Sequence, residues 1–111
     1  MTEGQRIFEF RTYTAEPGKM AALEQRFRDD GTRLFQKHGM DVIGYFVLID
    51  SDDTLVYILG FQDSEDRERC WASFRADQEW ISIRAETEKE GRLTAHIDAL
   101  VLTSTDYSPL R

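Results

Sequence analysis

The sequence predicts an α+β fold of order β-α-β-β-α-β, a four-stranded antiparallel sheet with its helices packed on one face. Three observations carry this reading. Residues 6–13, 41–49, 54–61 and 94–103 have the alternation, or the β-branched and aromatic content, of strands. Residues 19–38 and 64–87 instead repeat apolar side chains at helical spacing. Only the second and third strands are joined by a short polar link, Asp50-Ser51-Asp52-Asp53, which makes them a hairpin and the other connections crossovers.

In the first strand Phe8, Phe10 and Thr12 point one way, and Ile7, Glu9, Arg11 and Tyr13 the other. Pro17-Gly18 breaks the alternation. Met20, Leu23, Phe27 and Leu34 then recur on one helical arc that also holds Gly31 and His38. Glu24 with Arg28 and Asp29 with Arg33 are spaced for ion pairs on the solvent side. Lys37-His38-Gly39 is a stop signal, because cations complement the negative end of the helix and glycine permits a left-handed turn. Ser64 is a plausible N-cap for a helix carrying Cys70, Trp71 and Phe74. Asp77 is a second cap, opening a helical piece through Trp80, Ile83 and Thr87 that Gly91 ends. The last strand places Ile97, Ala99 and Val101 on one face and His96, Asp98, Leu100 and Leu102 on the other.

A chain of 111 residues has room for one domain, taken as 1–111 with its core at about 6–104. The formal charge of −7, with no isolated basic cluster, argues against nucleic acid or an anionic membrane as partner. MTEGQRIFEF lacks the pattern of a secretory signal, no apolar run is long enough to span a bilayer, and the single Cys70 forbids an internal disulfide framework. The expected location is cytoplasmic.

Crossover handedness puts both helical segments on the same sheet face, leaving the other uncovered. Yet the second strand is apolar on both sides: Val42, Phe46 and Leu48 on one, Ile43, Tyr45, Val47 and Ile49 on the other. A bare apolar face is rarely tolerated by a soluble monomer, and a second copy of the same sheet is the simplest cover. The expected assembly is a homodimer through the sheet face, a dimeric α/β barrel.

Glu9-Phe10-Arg11-Thr12-Tyr13, Pro17-Gly18-Lys19-Met20, His38-Gly39-Met40 and Ala76-Asp77-Gln78-Glu79-Trp80, in this order, resemble the NIPSNAP family from about residue 7 to about residue 103. The resemblance implies a ferredoxin-like fold of the dimeric α/β barrel superfamily, whose members include cofactor-free monooxygenases, isomerases and haem-handling proteins. Many relatives have an Asn opening the third strand, a Trp near its end and a His between; here those places hold Asp53, Leu59 and Tyr57.

The candidate ligand-binding residues are Arg11, Tyr13, His38, Tyr57 and Trp80. Arg11, Tyr13 and Glu9 share a strand face, which suits polarisation of a carbonyl or enolate and equally an ion pair between Arg11 and an acid. Histidine is the residue type that serves proton transfer near neutral pH, and His38 is a candidate general base, or a cation at a helix terminus. A mid-helix Gly31 costs about 1 kcal/mol relative to alanine, which close helix-sheet approach or space for a ligand would explain. Trp71, Trp80 and Phe74 read as core and docking residues before they read as a stacking platform. Tyr45 and Tyr57 carry hydroxyls suited to a cavity wall. Cys70 reads as an inert thiol, and His96, if it reached His38, would still be weak evidence for a metal.

The expectation is a homodimer binding a small, largely apolar molecule between sheet and helices, with no cofactor and no metal. In an enzyme version, a monooxygenase or isomerase, His38 or Tyr57 moves a proton and Arg11 stabilises negative charge. The alternatives are a non-catalytic interaction or ligand-carrier module, expected to have a filled, dry interior, and a haem-binding protein using His38 or His96.

Overall fold

β1 (Ile7–Ala15) lies inside the sheet of the computed structural model, which describes residues 6–111; residues 1–5 of the expected domain span lie outside the described residues. It pairs antiparallel with β3 (Thr54–Phe61) on one side and β4 (Thr94–Thr103) on the other, and β2 (Asp41–Val47) completes the order β2-β3-β1-β4. Between β1 and β2 run α1 (Met20–Arg26) and α2 (Thr32–Lys37); between β3 and β4 run α3 (Ser64–Ala76) and α4 (Gln78–Thr87). The sheet is the ferredoxin-like one the element order predicts.

The core forms on one sheet face. Tyr13, Leu55, Tyr57 and Leu59 meet Leu23, Leu34, Phe35, Trp71 and Phe74 from the helices. Leu23, Leu34 and Leu59 are wholly buried, and each such side chain contributes about 1.5–3 kcal/mol.

Four local features depart from the sequence reading. The first helical segment is not continuous: a π-helical turn, Phe27–Gly31, separates α1 from α2. The extra residue rotates α2 relative to α1, so Phe35 is buried beside Leu34, and His38, one turn beyond Leu34, keeps a side chain that is 11% exposed and rests on Phe74. It also re-pairs the surface charges: Gln25 bonds Asp29 and Arg28, and Arg33 reaches Asp30 and Glu79. Second, β2 ends at Val47 and its register slips between Val42 and Gly44. This irregularity sets Val42 opposite Leu59 and Tyr45 opposite Tyr57, so both join the helix side, and the strict alternation predicted there fails. Third, Asp63 rather than Ser64 caps α3, accepting from the Asp66 N–H at 2.8 Å. Fourth, His96 pairs with Asp98 at 3.1 Å on the face opposite the helices and does not approach His38.

Other signals correspond directly. Gly39 follows α2 with φ of 88°, and Asp77 ends α3 in an extended conformation while its side chain caps α4 through the Glu79 N–H at 2.7 Å.

The helix-free sheet face carries cross-strand rows set by the register: Phe46, Val56, Thr12 and Asp98 in one, and Gly44, Ile58, Phe10 and Leu100 in the next. Phe46, Leu100 and Leu102 are 53%, 60% and 44% exposed there. Among the described residues, no helix is long and apolar enough to cross a membrane.

Candidate functional site

A cavity of about 250 Å³ lies between the helix-facing side of the sheet and the four helices. That is near the lower end of the sizes at which ligand pockets are found. β1 contributes Arg11 and Tyr13, α1 contributes Arg26, and the π-helical turn Phe27 and Gly31. α3 presents Arg67, Trp71 and Arg75, each four residues from the last, with Phe74 beside them. Trp80, Arg84 and Glu88 run along α4 and just past its end at the same spacing, and Ile97 and Thr94 of β4 close the wall.

The floor is built around a buried carboxylate. Glu9, with no exposed surface, accepts from Arg11 Nη1 at 2.5 Å, Arg67 Nε at 2.8 Å and Trp71 Nε1 at 2.8 Å. Burial pushes its carboxyl up, but the bonds from Arg67, Trp71 and Arg11 outweigh burial and hold the pKa below the ordinary value. Arg11 lies over the Trp71 ring, 4.7 Å from its centroid, and its Nη2 is 3.5 Å from the Tyr13 hydroxyl. Burial disfavours its charge, but the ion pair with Glu9 and the contact with the Tyr13 hydroxyl favour it, and the guanidinium stays charged. Its Nε–H is buried with no partner among the described residues.

On the opposite wall Arg26 donates to Glu88 at 2.8 Å and to Thr87 at 3.1 Å, and sits 5.1 Å from the Trp80 ring centroid. Glu88 also takes Arg84 at 3.5 Å. Arg75 has no hydrogen bond or ion pair among the described residues.

Of the residues singled out from sequence, Arg11, Tyr13 and Trp80 line this cavity together. Tyr57 stands behind the wall, fully buried and 2.8 Å from the Tyr13 hydroxyl. Burial, then Tyr13, pushes its phenol well above the ordinary value, so it is protonated at neutral pH and poorly suited to move a proton. His38 is elsewhere: Nδ1 meets Ser73 Oγ at 2.5 Å and Nε2 meets Asp77 Oδ2 at 2.6 Å, fastening the end of α2 to the α3–α4 junction. Neither His38 nor His96 offers an imidazole to a haem seated in the cavity. Tyr45 is bonded to Thr32 at 2.8 Å beside a separate hollow, and burial pushes the Cys70 thiol up.

Sequence reasoning missed the arginines Arg26, Arg67, Arg75 and Arg84. The signal was present as the four-residue spacing of Arg67-Trp71-Arg75 and Trp80-Arg84-Glu88, which puts cations and indoles on single helix faces.

Gly31 is tight against its own helical segment rather than against the sheet. It lines the cavity, and a Cβ there would lie 2.9 Å from Phe27 Cδ1. The Phe27 ring has little freedom, with Tyr57 at 5.0 Å and Tyr45 at 5.3 Å between centroids. Gly31→Ala is therefore expected to destabilise by about 1–3 kcal/mol despite the better helix former, as a lowered urea midpoint would show.

The NIPSNAP family model matches residues 8–109. The chain belongs to the NIPSNAP family. A NIPSNAP family protein of unknown function from Agrobacterium tumefaciens superposes with a TM-score of 0.85 at 23% identity, over 99% of this chain and 97% of that one. A second NIPSNAP family protein from the same organism gives 0.83 at 27% identity, over 96% and 99% of the two chains. SnoaB, a cofactor-independent oxygenase from Streptomyces nogalater, shares the fold at a TM-score of 0.66 and 17% identity, over 96% and 99%. No match was found among curated proteins. For this NIPSNAP chain, the relatives speak to fold and family, and the cavity's own residues carry the chemistry.

Proposed function

We propose that this NIPSNAP protein is a homodimer, joined through its open sheet faces, that binds a small, largely apolar molecule in the cavity between sheet and helices. The observation that carries the binding reading is the cavity itself. Its aromatic wall of Phe27, Trp71, Phe74 and Trp80 surrounds convergent polar groups from β1, where an interaction module would have a filled, dry interior. The apolar face bearing Phe46, Leu100 and Leu102 supports the dimer.

A second reading, a cofactor-free oxygenase or isomerase, is favoured by Arg11 and Tyr13 standing together on the cavity wall. A fixed guanidinium stabilises negative charge developing on a bound enol or phenol. The proton acceptor in that reading is not His38 or Tyr57, since neither enters the cavity; Glu88 is the carboxylate on its wall. SnoaB, of the same fold, is a cofactor-independent oxygenase.

Arg11→Met tests the binding reading. Arg11 both pairs with Glu9 and faces the cavity, so the alternatives posed by the sequence are not exclusive. The variant is expected to lose about 1.5–3 kcal/mol of stability, the scale of a hydrogen bond to a charged group, and to bind 2-naphthalenemethanol more weakly. Differential scanning and titration calorimetry measure the two effects, and wild-type melting with wild-type binding would overturn this role for Arg11.

A further inference from the structure

Five of the chain's eleven arginines, and none of its three lysines, line this one cavity in a protein of net charge −7. Two carboxylates answer them, and each is shared: Glu9 by Arg11 and Arg67, Glu88 by Arg26 and Arg84. Arg75 has no carboxylate among the described residues. The cavity therefore carries excess positive charge against the field of the whole chain, and an apolar ligand alone gives those cations nothing to neutralise.

The excess is placed at one end. Arg75, Trp80, Arg84 and Glu88 belong both to the cavity and to the outer hollow adjoining it, which makes them its mouth. Arg75 is exposed, and the Arg84 side chain is 64% exposed. Deeper in, Trp71 and Phe74 pack edge to face, and Trp80 of the mouth lies 4.9 Å from Phe74 between centroids. An apolar interior with a cationic mouth matches a molecule that is flat and apolar at one end and anionic at the other.

We infer that the ligand is an aromatic carboxylate whose rings lie among Trp71, Phe74 and Trp80 and whose carboxylate is held at the mouth by Arg75, assisted by Arg84. The inference rests on the cavity being a ligand site and adds the chemical class. A guanidinium fork suits a carboxylate in bidentate geometry. With Arg75 unpaired among the described residues and the other guanidinium groups shared, the mouth suits a monoanion better than a phosphate dianion.

Titration calorimetry with 2-naphthoate, 2-naphthalenemethanol and 2-naphthyl phosphate tests this on the wild-type protein and on Arg75→Gln and Arg75→Gln/Arg84→Gln. Both substitutions are on exposed side chains, and melting curves verify that they fold. The expected result is naphthoate binding about tenfold more tightly than the alcohol, the scale of a charge-assisted hydrogen bond, with most of that preference lost in Arg75→Gln and the remainder in the double variant. Equal binding of alcohol and naphthoate would overturn the inference while leaving the cavity as a ligand site. Tighter binding of the phosphate, or a naphthoate preference that survives both substitutions, would also overturn it. Absence of binding by all three compounds would remove the ligand-site reading together with the inference.

Discussion

Glu9→Leu is expected to destabilise the protein by about 3–5 kcal/mol, enough to unfold much of the population of a marginally stable domain. The carboxylate is wholly buried and is the common acceptor for Arg11, Arg67 and Trp71, so its removal leaves two guanidinium groups and an indole N–H without their partner. The cost comes from what is left unpaired rather than from the volume changed. The same carboxylate imposes a pH dependence of definite sign. Its folded pKa is depressed, so its contribution is complete above the unfolded value of about 4.3 and is lost as pH falls through the lower, folded value. Urea denaturation between neutral pH and about pH 3 should show this loss. Glu9→Gln should be less stable at neutral pH and should lack that part of the acid limb. A Glu9→Leu protein as stable as the wild type would show that the cluster does not hold the floor of the cavity.

Phe46→Asp is expected to convert the proposed dimer to monomer, while Val47→Asp leaves it a dimer. The sequence could not say which of the two faces outward. The register decides it: Phe46 lies opposite Val56 on the helix-free face, and Val47 lies opposite Leu55, whose side chain is in the core. In a twofold interface each substitution occurs twice, placing two unpaired carboxylates in an apolar contact. A rise in the dissociation constant of at least about a hundredfold, roughly 3 kcal/mol, is expected by light scattering across a concentration series. Dimers that survive Phe46→Asp, or a wild-type chain that is monomeric at micromolar concentration, would contradict assembly through this face.

Element order and most boundaries were legible in the sequence because they depend on local signals. Gly39 needs a positive φ, Asp77 supplies a cap, and Asp50–Asp53 separate two apolar strands. The features that escaped the sequence depend on single-residue insertions. The π-helical turn at Phe27–Gly31 and the slipped register between Val42 and Gly44 each re-aim the side chains beyond them, without altering the composition of the segment. The His38 side chain is largely buried, but its imidazole is taken up by Ser73 and Asp77 and lies away from the cavity, a pairing that local spacing does not reveal.

The site was legible mainly on β1, where a two-residue period put Glu9, Arg11 and Tyr13 in one row, and at Trp80 of α4. The arginines of the helical half were hidden because arginines on a helix ordinarily signify a solvated face. Their role becomes visible only when α3 and α4 fold over the same stretch of sheet and bring Arg67, Arg75 and Arg84 to one space. Trp71 combines both readings, being a core residue by burial and a donor to Glu9 by its indole nitrogen.

If the cavity between sheet and helices is the ligand site, small apolar molecules enter it rather than settle on the exposed apolar face of the sheet, the proposed dimer contact. Crystals grown with 2-bromonaphthalene and measured at the bromine absorption edge address this directly, since the anomalous signal locates one atom of the probe. A bromine peak inside the cavity, beside Trp71 and Trp80, is the expected result. A peak on the open sheet face against Phe46 and Leu100, with the cavity empty, would contradict it.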